Sequence, residues 1–218
     1  PSLIAPPAPV LTGSTRSSDP RMILVIETAT TACSVALIEG NRVVAHVHED
    51  VARGHAERLV PMIAELPGGG RADSVLVNCG PGSFTGVRVG LAAAKALGLA
   101  WGVPVTGYST HALLAATLFE QRPEATEAVI AIEGGHGEVF VQRFANHPLR
   151  ALNELQSLRP DAVPHHPLVA GSAAARIDAG EAVNIGPDAR KACLLPEDLR
   201  QRPATALYGR APDAKPNP

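Results

Sequence analysis

The stretch GPGSFTGVRVG, from Gly80 to Gly90, holds the residue types and spacing best suited to chemistry. A strand-like run ends just before it and an apolar helical run begins within it. Ser83 or Thr85 can cap that helix, whose first amides have no intrahelical partners and form a ready anion site. On that reading Gly82, Ser83 and Thr85 cradle a phosphate. Sharper patterns fail. A Walker loop needs Lys-Ser/Thr after its second glycine, whereas Val87 and Arg88 follow Gly86. A dinucleotide fingerprint needs an acid at the end of the next strand, and VPVTG supplies none. Nor is Ser83 on a nucleophile elbow, because Pro81 stands at the first glycine position. Phosphate cradle and purely structural turn both stay open from spacing alone.

Glu27 ends an apolar run just before Thr28-Ala29-Thr30. A carboxylate there suits a metal or a metal-bound phosphate, and it suits a turn cap equally well. His46 and His48 share a strand face without a third ligand nearby, and His165-His166 lies in a proline-rich loop. His111 and His136 have no acid at a telling spacing, so no Ser/His/Asp set assembles. Cys33, Cys79 and Cys193 are odd in number and far apart, with no C-x-x-C pair. They read as free thiols of a reducing cytosol.

These residues need elements to position them. MILVIET reads as a strand buried on both faces. CSVALIEG and RVVAHVHE, joined at Gly40-Asn41, read as a hairpin. GHAERLVPMIAEL is a helix with Leu59, Met62, Ile63 and Leu66 on one face, and Pro61 makes it start late or kink. PGGGRAD is a loop and SVLVNC a buried strand. After the glycine loop, VRVGLAAAKALGLAW is a helix, VPVTG a strand and STHALLAATLFEQ a helix capped by Ser109. EAVIAIE and EVFVQRFA form a second hairpin, and PDAVPHHPLVAGSAAARI reads as a strand with a following helix. The order predicts a mixed sheet with helices on its faces rather than a Rossmann order.

Along the second helix Gly86, Gly90, Ala94 and Gly98 recur every four residues, one small-residue stripe. Interior glycine costs about 1 kcal/mol relative to alanine, so close approach of another backbone is expected to offset it. The helix is apolar nearly all round, with Arg88 and Lys95 on one narrow line. The stripe therefore predicts assembly with another subunit.

Composition bounds the rest. A net charge of −2 argues against a chain that grips nucleic acid by itself, and 3% aromatics against a base-stacking surface. The 45% apolar content gives a real core, and 20 glycines with 20 prolines predict many turns. No run is long enough to span a bilayer. Pro1 to Arg21 reads as a disordered arm, with no basic n-region of a signal peptide, and Met22 opens the first patterned segment.

MILVIETATTACSVALIEG, RGHAERLVPMI and NCGPGSFTGVRVGLAAAKALGLAWGVPVTG resemble the TsaB (YeaZ) family of bacterial tRNA threonylcarbamoyladenosine biosynthesis proteins. AIEGGHGEVFVQRF and ALYGRAPDAK are similar too, so the likeness runs from about Met22 to Lys215. It implies an α/β, two-lobed actin/hexokinase/Hsp70-like (ribonuclease H-like) fold with mixed sheets flanked by helices. The lobes would span 22–108 and 109–218. It implies a cytoplasmic, non-catalytic partner subunit that activates or scaffolds a homologous catalytic subunit (TsaD-like), with a small ATPase (TsaE-like). The rival within the same fold is a nucleotide-binding enzyme, kinase-like or glycoprotease-like. A homodimer is expected when the partner is absent, tRNA is held only through the complex, and no membrane is involved. No intrinsic cofactor is expected, with ATP at a subunit interface. The resemblance puts the partner interface at His55, Arg58, Leu59, Met62, Gly86, Arg88, Gly90, Ala94, Lys95 and Gly98. The nucleotide cleft would be Glu27, Thr28, Gly82, Ser83 and Thr85. Two departures stand out: the family usually has Asp at Glu27, and Asp-Ala-Arg at Glu133-Gly134-Gly135.

Overall fold

A computed structural model describes residues 21–209, so the expected arm, Arg21 apart, lies outside the described residues. β1 (Met22–Glu27), β2 (Ala32–Glu39) and β3 (Arg42–Asp50) form an antiparallel meander. The chain then crosses by α1 (His55–Glu65) to β4 (Ser74–Asn78), and by α2 (Phe84–Trp101) to β5 (Val105–Tyr108). β4 is parallel to both β1 and β5. The buried helix α3 (Thr110–Gln121) leads into β6 (Glu127–Gly135), β7 (Glu138–Ala145), β8 (Arg150–Ala151) and β9 (Gln156–Leu158). β10 (His166–Ala170) and β11 (Ala179–Val183) add parallel strands beside β6. Finally β12 (Arg202–Pro203) returns to pair antiparallel with β5. The two sheets run β12-β5-β4-β1-β2-β3 and β11-β10-β6-β7-β8, with β9 on β7. This is the mixed α/β architecture, two mixed sheets with helices on their faces, expected from the sequence.

The layers follow from alternation along the strands. Leu24, Ile26, Val75 and Val77 face α1 and α2, while Val25, Ala36 and Leu76 face α3. α3 is covered on its other side by Ala128, Ile130, Ile132, Phe140 and Phe144 of the second sheet. Every residue of α3 from Thr110 to Phe119 is buried, so the helix that is central in the fold is α3 rather than α2. None of the helices among the described residues is long and apolar enough to cross a membrane.

Local chemistry sets the boundaries. Ser83 and Ser109 cap α2 and α3, accepting from the amides of Gly86 and Ala112 at 3.2 and 3.1 Å. α1 does not start late at Pro61: it begins at His55 and runs through the proline. Pro61 and Glu57 are both exposed, so water can satisfy the carbonyl that the missing N–H leaves free. The helix expected after β10 is only a 3-10 turn, Ala174–Arg176.

Candidate functional site

β5, β4 and β1 are parallel neighbours, and their last residues are Tyr108, Asn78 and Glu27. Open α/β sheets place ligands at such carboxyl ends. Here the three residues bond one another. Glu27 Oε1 accepts from the Ala29 amide at 2.8 Å, and Oε2 accepts from Asn78 Nδ2 and from the Tyr108 hydroxyl at 3.0 Å. Asn78 Oδ1 in turn accepts from the Gly80 amide at 2.6 Å and the Thr110 hydroxyl at 3.1 Å. Burial pushes the Glu27 carboxyl up to about 7 against the pull of these donors. Burial and the neighbouring Glu27 raise the Tyr108 hydroxyl well above its usual value. The turn-cap role is thus the one Glu27 Oε1 performs. Asn78 and Tyr108 carry no sequence motif, and only the strand order brings them to Glu27.

The glycine loop is joined to the β1–β2 turn. The Ser83 amide donates to the Ala29 carbonyl at 2.6 Å, and the Thr28 hydroxyl to the Gly86 carbonyl at 2.8 Å. A Cβ on Gly82 would stand 2.0 Å from the Ala29 oxygen, and one on Gly86 2.1 Å from the Thr28 oxygen. Glycine is required here because the two backbones touch. Glu27, Thr28, Gly82 and Ser83 therefore come together as a loop-to-loop junction, while Thr85 faces solvent on the first turn of α2. Neither glycine leaves room on its buried side for a methyl group.

The small-residue stripe of α2 turns inward. A Cβ on Gly90 would lie 2.4 Å from Thr28 Oγ1, and one on Gly98 2.2 Å from Val105 Cγ2. Ala94 is fully buried. The expectation that Gly86, Gly90, Ala94 and Gly98 receive another subunit's backbone does not hold, because the chain's own strands occupy that face. The same correction applies to His55, Leu59 and Met62, which are buried in the chain's own core, with His55 Nε2 3.2 Å from the Ala32 carbonyl. Of the expected interface, Arg58, Arg88 and Lys95 remain accessible. Arg58 bonds the Glu49 carboxylate and lies 3.7 Å from Glu65. The outer surface of the two helices also exposes apolar side chains: Val60 is 63% exposed and Leu99 87%, with Ala96 and Ala100 exposed on the same helix as Leu99.

At the amino end of α2 the Arg88 guanidinium sits 3.6 Å from the Phe84 ring centroid and donates to the Tyr208 hydroxyl at 3.2 Å. The rings of Phe84 and Tyr208 are 5.9 Å apart. An aromatic-poor chain thus does carry a paired aromatic surface, which composition argued against. Elsewhere the histidines are structural or peripheral: His165 lies 3.3 Å from Asp178 and His48 4.0 Å from Asp188. Among the described residues no His/Cys/Asp/Glu group could hold a metal ion, and all three cysteines are free.

The family model for TsaD, tRNA N6-adenosine threonylcarbamoyltransferase, matches residues 47–155. The tRNA threonylcarbamoyladenosine biosynthesis protein TsaB of Haemophilus influenzae is 35% identical over 135 residues, 59% of this chain and 56% of that protein. TsaB of Escherichia coli is 38% identical over 123 residues, 54% of this chain and 52% of that protein. These matches span only about half the length of the curated TsaB relatives. An uncharacterized protein of Mycobacterium tuberculosis is 32% identical across 89% of this chain and 94% of its own length. The solved structure of YeaZ from Pseudomonas aeruginosa superposes with a TM-score of 0.69 at 28% identity, covering 80% of this chain and 89% of that one. With these likenesses and the fold in agreement, the chain belongs to the TsaB (YeaZ) family.

Proposed function

We propose that this chain is a non-catalytic subunit in the transfer of threonylcarbamoyl to the tRNA adenosine next to the anticodon. It pairs through the outer faces of α1 and α2 with a homologous, TsaD-like catalytic subunit. The observation that carries this reading is the exposed apolar surface of Val60, Leu99 and their alanine neighbours, on a chain whose relatives are named for this pathway. An 87% exposed leucine on a helix is suited to burial against a partner. The internal bonding of Glu27 supports the non-catalytic role, since both its oxygens already serve Ala29, Asn78 and Tyr108. ATP, a TsaE-like ATPase and most of the grip on tRNA then belong to the assembly. Alone, the same face pairs two copies.

Co-expression with the TsaD-like subunit, sizing and a tRNA-modification assay test this. Leu99→Asp should abolish the complex and cut modification more than ~10-fold, because it buries an unpaired charge. A complex that survives Leu99→Asp, or modification that proceeds equally without this chain, would overturn the proposal.

A further inference from the structure

We infer that the groove between α2 and the carboxy-terminal segment is a contact site for unpaired RNA nucleotides. The groove holds about 560 Å³ and is lined by Arg88, Lys95, Thr205 and Tyr208 together with Leu91, Ala92 and Ala206. The segment that walls it is held in place, since the Leu207 amide donates to the Cys79 carbonyl at 2.7 Å and β12 pairs with β5. Two independent features point to one ligand chemistry.

The first is charge. Both charged residues of the groove are cations, and neither has a carboxylate partner among the described residues. A groove lined by two cations and no acid suits phosphate. The second feature is stacking surface. Phe84 is 58% exposed and Tyr208 50%, and Arg88 is held over one ring by the hydroxyl of the other. Unpaired bases stack on aromatic and guanidinium planes, and that contact tolerates any sequence. An Arg already fixed in place loses little freedom when a phosphate or base arrives. A free nucleotide suits the groove less well, because it is open along α2 and the glycine loop that could wrap a terminal phosphate is closed on the β1–β2 turn. Only the identity of the RNA as tRNA rests on the proposed function, and the contact adds to the grip of the other subunits.

The test is photo-crosslinking of the full chain to a fluorescein-labelled single-stranded oligoribonucleotide of mixed sequence. Crosslinking should weaken with salt, and fall at least ~5-fold in Tyr208→Ala and in the Arg88→Gln/Lys95→Gln double variant. Arg143→Gln, a cation elsewhere, should crosslink normally. Millimolar AMP should leave the crosslink in place. Displacement by micromolar AMP would make this a free-nucleotide site and overturn the inference. So would crosslinking that is absent, or unchanged in the variants. Variants that lose the TsaD-like subunit on sizing while still crosslinking would make the cluster a protein contact instead. Failure of the proposed function would appear in the modification assay and leave the crosslink untouched, so the two can be told apart.

Discussion

The two faces of α2 are made from similarly small and apolar residues, yet they serve different neighbours. On the inner face Gly86, Gly90 and Gly98 sit where a methyl group would strike Thr28 or Val105. On the outer face Ala92, Ala96 and Leu99 meet solvent. Helical spacing says which residues share a side, but not what lies beyond it. The energetic difference is equally sharp, because an inner glycine can be enlarged only by moving the sheet, while an outer residue has room.

The largest effect should come from Gly90→Leu. Its first side-chain carbon alone would overlap Thr28 Oγ1, so a loss of about 3 kcal/mol or more is expected. Urea unfolding would measure it. A Gly90→Leu protein as stable as wild type would erase the distinction between the faces, whereas Leu99→Ala should stay within about 0.5 kcal/mol.

The junction under the inner face also holds a proton. The Glu27 carboxyl is raised from 4.5 to about 7 by burial. Its contribution to stability is therefore present below about pH 4.5 and lost as pH rises through 7. His111, buried with Nε2 on the Phe140 carbonyl at 3.0 Å and Nδ1 unpartnered, is lowered by burial from 6.5 to about 4. Its contribution has the opposite sign, present above pH 6.5 and lost as pH falls through 4. The two slopes oppose each other between roughly pH 4.5 and 6.5. Glu27→Gln should unmask the histidine limb, with stability dropping by roughly 2–3 kcal/mol from pH 7 to 4 relative to wild type. Unfolding curves at several pH values that run parallel for the two proteins would sink this assignment.

Arg58→Gln should give the smallest effect. The Arg58–Glu49 pair keeps the Glu49 carboxyl below its usual range through its hydrogen bond, but both side chains are more than a third exposed. Solvent screens such pairs, so the melting temperature should barely move, and less still at high salt.

Much of the fold was legible because its signals are local. Alternation gave the hairpins, and Ser83 and Ser109 gave two helix starts. Glu27 could be recognised as special from its place at a strand end, and its role as a turn cap was among the readings. Asn78 and Tyr108 were not legible, since nothing local shows that β4 and β5 lie beside β1. Tyr208 lies near the end of the chain and meets Phe84 only because β12 crosses back. The direction of the glycine stripe was not legible for the same reason: the strands that fill it are brought there by tertiary order.

That returning strand has a consequence for dissection. The first sheet is completed by residues that follow the whole second sheet in sequence, and Cys79 holds Leu207 through its carbonyl. A fragment stopping at Tyr108 would expose a raw edge on β5 and lose the cover over Cys79. Neither half is a portable module, and any graft or truncation must carry the closing segment along with the strands it seals.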